Sequence, residues 1–215
     1  MFVLFDAFAG YGGAHFALKK ANLSHKAIGF SEIESSAINI YKLNHGNIKN
    51  FGDITKLDPK TIPSFNFFCA GFPCQPFSQA GKGKGINDTR GTLFHDIIRI
   101  ADKKRPNCMV MENVKGLTFK NHITTFNTII SEIKRIGYNV HYKVLNSKNY
   151  GTPQSRERIV FVCIKNSLNQ QFIFPKKEAL NIFLKDLILK NVPQEFYLKE
   201  EDKNFKKDQF PSSQL

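Results

Sequence analysis

The sequence predicts one α/β domain of the doubly wound, Rossmann-like kind, a mostly parallel sheet with helices on both faces. Three observations carry this. Short apolar runs alternate with amphipathic segments of helical period. The runs are continuous rather than alternating, as strands buried on both faces require. The first run opens directly into a glycine-rich turn, Asp6-Ala-Phe-Ala-Gly-Tyr-Gly-Gly13.

Taken in order, FVLF at 2–5 reads as the first strand, followed by a helix from about Gly13. KAIGF at 26–30 is the second strand, residues 35–43 the second helix, and a short third strand is presumed ahead of Asp53. FNFFCAG at 65–71 and NCMVMEN at 107–113 continue the sheet, with helices over 92–104 and 123–136. NVHYKVL at 139–145 and RIVFVCI at 158–164 are its last strands. Beyond Lys165 the alternation weakens, and a single amphipathic helix is expected over 177–190 before a polar tail. Residues 1–165 therefore read as the functional domain and 166–215 as a connector. Ligands of such a sheet are expected at the carboxyl ends of its strands.

A chain of 215 residues can bury a full core. Its four cysteines include no Cys-x-x-Cys pair and its six histidines no His-x-x-x-His, so neither a disulfide framework nor a metal site is expected. There is no apolar run of membrane-spanning length and no basic leader, which points to a cytoplasmic protein with no membrane partner. The formal net charge of +13 favours a polyanionic partner. Residues 1–165 hold 23 of the 31 basic side chains and 11 of the 18 acidic ones, so the excess lies almost wholly on the predicted functional domain.

The glycine turn allows close approach of backbone to ligand. A pyrophosphate fingerprint would place glycine at position 15, where this chain has His15, so a nucleoside without a pyrophosphate fits better. Glu32, at the end of the second strand, stands where a carboxylate accepts hydrogen bonds from ribose hydroxyls, and Asp53 follows the presumed third strand in a similar position. Gly71-Phe-Pro-Cys-Gln-Pro-Phe-Ser78 sets Cys74 between two prolines at a strand's carboxyl end. That backbone is rigid and non-helical, and nearby basic residues favour a thiolate. Cys69, Cys108 and Cys163 sit inside apolar strands and read as small buried hydrophobes. The glycine-lysine stretch from Gln79 is suited to lying over a phosphate backbone.

These motifs together resemble the DNA cytosine-5 methyltransferases. Pro73-Cys74-Gln75 matches that family's hallmark inside the longer GFPCQPFSQAG form of its bacterial members. DAFAGYGG at 6–13, Glu112-Asn113-Val114, and Gln154-Ser-Arg-Glu-Arg158 follow in the family's order. The resemblance implies S-adenosylmethionine as methyl donor, with Phe8 against the adenine, Ala9, Gly10, Gly12 and Gly13 near the methionine portion, and Glu32 on the ribose. It further implies Asp53 and Ile54 at the adenine edge, with Pro73 and Leu93 lining the pocket. Ile33 stands where many members carry an aromatic residue. Cys74 is implied as nucleophile toward C6 of a cytosine flipped from duplex DNA, Glu112 as partner of N3, and Arg158 and Arg156 as supports. Gln75, Ser78, Lys82, Lys84, Asn113 and Val114 are implied as substrate contacts.

Family members continue into a target-recognition domain and a later motif resembling Arg-Gln-x-Gly-Asn, neither of which this sequence contains. A split or truncated enzyme of a restriction-modification system, completed by a second polypeptide, is the resulting expectation. An RNA cytosine-5 enzyme and a catalytically silent DNA-binding paralogue are the alternatives. Replacing Lys82 and Lys84 together by alanine should weaken DNA binding and flatten the log-log salt dependence by about one to two units of slope. An unchanged slope would show that this stretch does not meet phosphate.

Overall fold

Phe2–Ala7 forms β1, whose last four residues are buried. The computed structural model describes residues 1–73 and 93–197. After β1 come α1 (Gly13–Lys20), β2 (His25–Ser31), α2 (Ser35–His45), β3 (Phe67–Gly71), α3 (Leu93–Lys104), β4 (Cys108–Val114), α4 (Ile123–Arg135), β5 (Tyr138–Asn146) and β6 (Glu157–Lys165). The six strands lie in the order β2-β1-β3-β4-β6-β5. β2, β1, β3 and β4 are mutually parallel, while β6 runs against both its neighbours. The expected mostly parallel, Rossmann-like architecture is what forms.

Side chains alternate between the two faces of each strand, and this sorts the core. Phe5, Phe68, Ala70, Met109 and Met111 share one apolar cluster with Ile97 and Ile100 of α3 and Ile129 and Ile133 of α4. On the opposite face Leu4 and Cys69 pack with Leu18 of α1, and Phe30 stacks on Tyr41 of α2 at 3.9 Å between ring centroids. Cys69 and Cys163 are buried as expected, whereas Cys108 is only partly so. From β2 the chain crosses back over β1 to reach β3. The resulting reversal opens a crevice at the carboxyl ends of β1 and β3, where ligands of such sheets bind.

Two expected elements are absent. The presumed third strand reduces to one parallel bridge between Phe30 and Asn50, because Gly52, at φ 70°, turns the chain out of the extended region two residues later. The helix expected over 177–190 does not form. A single 3-10 turn, Leu184–Asp186, stands in its place, and Phe183, Leu184, Leu187, Ile188 and Leu189 are all exposed. An amphipathic segment of that length is marginal in water unless its apolar face is packed, and these side chains have no such cover.

Residues 166–178 instead run back beside β5. Phe172 meets the ring of His141, Lys143 lies over Phe174, the Tyr150 hydroxyl donates to the Pro175 carbonyl, and Glu178 N donates to Asn149 O at 2.8 Å.

At the junction of α1, β2 and α2, His15 stacks on His45 at 4.1 Å and meets His25 edge-on at 4.7 Å, with Phe16 against the far side of His45. Burial, reinforced by the His45 and His25 rings and by Lys19, pushes His15 down to about 4. Burial lowers His45 too, against the opposing contact with the Tyr11 carbonyl. The folded protein therefore resists protonation that the unfolded chain accepts. His15 contributes stability above its ordinary value of 6.5, and that contribution declines as pH falls toward about 4. His15→Phe should lose less melting temperature than the unmodified chain between neutral and mildly acidic buffer. Equal losses in the two proteins would show that the stack carries no such linkage.

Candidate active site

Parallel pairing brings the ends of β2, β1, β3 and β4 to one edge. Ser31 lies opposite Ala7, and Gly71 opposite Glu112. Above this edge the glycine turn crosses from β1 to α1 with Phe8 at φ 54°, Gly10 at 53° and Gly12 at 89°. Gly12 has a second constraint, because a Cβ there would lie 2.2 Å from His45 Nε2. His45 and Asn44 both reach the Tyr11 carbonyl, at 3.2 and 3.3 Å, so the end of α2 holds the turn down.

Glu32 belongs to the same construction. Its Oε2 accepts from Gly10 N at 2.9 Å, and its Oε1 accepts from Ile33 N at 2.8 Å and Glu34 N at 3.0 Å. Beneath the turn, Asp6 is buried, and desolvation with the added repulsion of Glu32 holds its carboxyl well above the usual carboxylate range.

A cavity of about 240 Å³ lies between these elements. Phe8, Glu32 and Ile33 border it on the β1–β2 side, Gly52, Asp53 and Ile54 on the next, and Pro73 and Leu93 close it, with Ser31 at its floor. Seven residues of the expected donor set thus line one cavity: Phe8, Glu32, Ile33, Asp53, Ile54, Pro73 and Leu93. Ala9, Gly10 and Gly12 lie in the adjoining turn, and Gly13 is the first residue of α1. Asp53 Oδ1 caps the turn Ile54–Lys56 by accepting from Thr55 N at 3.0 Å and Thr55 Oγ1 at 2.8 Å. These hydrogen bonds, the Thr55 hydroxyl first, hold the carboxyl below its ordinary value. The chemistry of the lining suits an adenosine moiety, with apolar walls for a purine and a carboxylate at either end for hydroxyl and amino groups.

Sequence reasoning missed Asn50. Its Oδ1 accepts from Glu32 N at 3.2 Å and Gly52 N at 3.0 Å, while its amide donates to Glu32 O at 2.9 Å. One side chain thereby joins both acidic walls. An asparagine two residues ahead of a glycine is the turn signal that could have found it.

At the end of β4, Glu112 Oε1 lies 2.8 Å from Arg158 Nε and 3.9 Å from Arg156 Nη2. Antiparallel β6 delivers Arg158, paired opposite Val114, and Arg156 stands just ahead of the strand. Glu157, between them, faces Lys115 at 2.8 Å. Three of the four expected catalytic residues therefore meet. The fourth, Cys74, lies outside the described residues, as do Gln75, Ser78, Lys82 and Lys84. Asn113 is buried, with its amide donating to Phe72 O at 3.0 Å and its Oδ1 accepting from Val114 N at 2.8 Å. Each end of the side chain thus makes one hydrogen bond within the protein, which fixes its orientation beside Glu112. Val114 is exposed.

Among the described residues no cluster of His, Cys, Asp or Glu is arranged to hold a metal, and no helix is long and apolar enough to cross a membrane.

Sheet order and the glycine turn that follows β1 define a doubly wound fold, and the solved structures that it matches are methyltransferases. A DNMT2 mutant from Spodoptera frugiperda superposes with a TM-score of 0.76 at 26% identity, covering 91% of this chain and 62% of its own. The Entamoeba histolytica methyltransferase EhMeth gives 0.69 at 20% identity, covering 94% and 64%. Within that fold the chain belongs to the C-5 cytosine-specific DNA methylase family, whose pattern it matches over residues 2–214. It is 45% identical over 185 residues to the type II methyltransferase M.HhaI of Haemophilus parahaemolyticus, and 41% identical over 197 residues to M.NlaX of Neisseria lactamica. These alignments take in 86% and 92% of this chain but 56% and 62% of the relatives, so the chain spans little more than half their length.

Gly12→Ala should destabilise the protein by more than the ~1–2 kcal/mol of left-handed strain that an alanine meets there, because the new methyl also collides with His45. Gly10→Ala, with a similar φ but open space, should cost the strain alone. Equal destabilisation in urea unfolding would show that the α2 contact is not tight.

Proposed function

We propose that this chain transfers a methyl group from S-adenosylmethionine to C5 of cytosine in DNA, through a covalent Cys74 adduct at C6. The observation that carries this reading is the register of β3 on β4. Gly71, three residues before Cys74, lies opposite Glu112, so the strand bearing the nucleophile and the strand bearing the Glu112–Arg158 pair end side by side. The adenosine-shaped cavity opens at the same edge, closed by Pro73 next to Cys74.

Cytosine C5 is a poor nucleophile until the ring's aromaticity is broken. In this reading the Cys74 thiolate adds to C6, which makes C5 enamine-like. The Glu112 carboxyl, in its protonated form, donates to N3, where negative charge would otherwise build during addition. Arg158 holds the Glu112 carboxyl in place from β6, with Arg156 behind it. Loss of the C5 proton and then of the cysteine sulfur restores the ring. The donor supplies an electrophilic methyl when bound. Glu32 would accept from its ribose hydroxyls, Asp53 from its adenine amino group, and Phe8, Ile33, Ile54 and Leu93 would enclose the purine.

Two finer parts of the reading belong here. Residues 166–215 would serve as a connector toward a target-recognition part; those described, 166–197, form no strand or α-helix and pack back along β5 as far as Glu178. A second polypeptide that grips the DNA would also cover Tyr11, Phe16, Ile40 and Leu43, large apolar side chains exposed on the glycine turn, α1 and α2.

Cys74→Ala should abolish methyl transfer while leaving donor binding intact, and DNA carrying 5-fluorocytosine should remain covalently attached to the unmodified chain. Glu112→Gln should slow turnover by ~10²–10⁴-fold, the range for a positioned acid-base group. Assays run on duplex DNA and on tRNA, with and without a candidate partner, separate the alternatives. Activity surviving in Cys74→Ala, or methylation of tRNA alone, would overturn the proposal.

A further inference from the structure

Helix α3 borders the donor cavity through Leu93, its first residue, and the short turn Ile54–Lys56 borders it through Ile54 and its cap Asp53. A three-residue 3-10 turn has little stability of its own. Within the turn, the closing hydrogen bond from Leu57 N to Ile54 O is long, at 3.3 Å. What fixes its position is outside it. The Arg99 guanidinium, on α3, donates from Nη1 to Leu57 O at 2.6 Å and from Nη2 to Ile54 O at 2.9 Å. These residues are 42 and 45 positions away in the chain. Asp96, one turn earlier on the same helix, orients the fork by accepting from Nε at 3.1 Å and Nη2 at 2.8 Å. Both carbonyls are thus drawn against the helix that carries Leu93. Ile54 and Leu57 point their side chains into the core on the same side, at 3% and 7% exposure.

We propose that Arg99 is a positioning residue for the methyl donor, setting the width of the adenosine cavity by clamping the Asp53–Ile54 wall to α3. It touches neither donor nor DNA, and acts through the backbone that carries Asp53. The geometry selects arginine. A planar fork serves two carbonyls and a carboxylate at once, whereas a lysine ammonium is a single flexible point charge that can reach one carbonyl at the cost of the other. Farther along α3, Lys104 makes an analogous link, donating from Nζ to Ile62 O, away from the cavity. The helix thus holds the same connecting segment at two places, and only the first borders the cavity.

This inference rests on the proposed donor site, and the comparison of four proteins tests both. S-adenosylhomocysteine is titrated calorimetrically into the unmodified chain and into Arg99→Met, Arg99→Lys and Lys104→Met, with melting temperatures measured in parallel. Loss of charge-assisted hydrogen bonds should weaken binding by about tenfold or more in Arg99→Met. Arg99→Lys should fall between, and Lys104→Met should stay within about twofold of the unmodified chain even though its melting temperature drops. In methyl-transfer assays the donor KM should rise in Arg99→Met with kcat retained at saturation. Unchanged affinity in folded Arg99→Met, or an equal loss in Lys104→Met, would overturn the clamp. Should Arg99→Met fail to fold, Arg99→Lys decides by the same affinity comparison. No binding by the unmodified chain would overturn the donor site itself, and the clamp with it.

Discussion

Backbone hydrogen bonds among four parallel strands determine where everything else in this molecule can act. Because β2, β1, β3 and β4 point the same way, their carboxyl ends form one edge, and each contributes a different group: Ser31 and Glu32 from β2, the glycine turn from β1, Phe72 and Pro73 from the end of β3 and Glu112 from β4. Slipping any strand by one residue would turn its core side chains to the opposite face. Phe5, Phe68 and Met109, all fully buried, make such a slip costly. The apolar core and the alignment of the site are therefore one constraint.

Around that edge, the carboxylates that hold the turns also border the cavity. Glu32 bonds three backbone amides of the protein and still borders the cavity. Asp53 caps a turn and borders it too. Carboxylates held by several fixed donors lose little further freedom when a ligand arrives, which is how a small site is preorganised before binding. Arg158 does the same for Glu112 from the neighbouring strand.

Much of this was legible in the sequence, for identifiable reasons. Strands such as FVLF and FFCAG are continuous apolar runs, and the helices over 93–104 and 123–135 have a clear apolar period. Motifs written in consecutive residues, DAFAGYGG, Glu112-Asn113 and the arginine pair, translate directly into strand-end geometry. The failures share a cause in contacts that have no local pattern. Residues 177–190 have a helical period but no surface to pack against. Asn50 and Arg99 work by side-chain bonds to backbone groups far away in sequence or across a turn, and nothing in the spacing of polar residues announces them. Asn113 sits inside a recognised motif, yet its partner is the Phe72 carbonyl, 41 residues away.

The reversed direction of β6 has a topological effect on whatever comes after it. A strand parallel to its neighbours would release the chain at the catalytic edge, but β6 begins there and ends at the far side, where Lys165 N donates to Asn107 O. Nine residues of strand span about 30 Å, and residues 166–178 travel that length back along β5 until Glu178 reaches Asn149, close to the first residues of β6. The return path works as a tether of set length that brings the chain back to the end of the sheet where β6 begins. Lengthening or shortening the stretch between Lys165 and Pro175 would thus change where the residues after Glu178 emerge, without disturbing a single rung of the ladder.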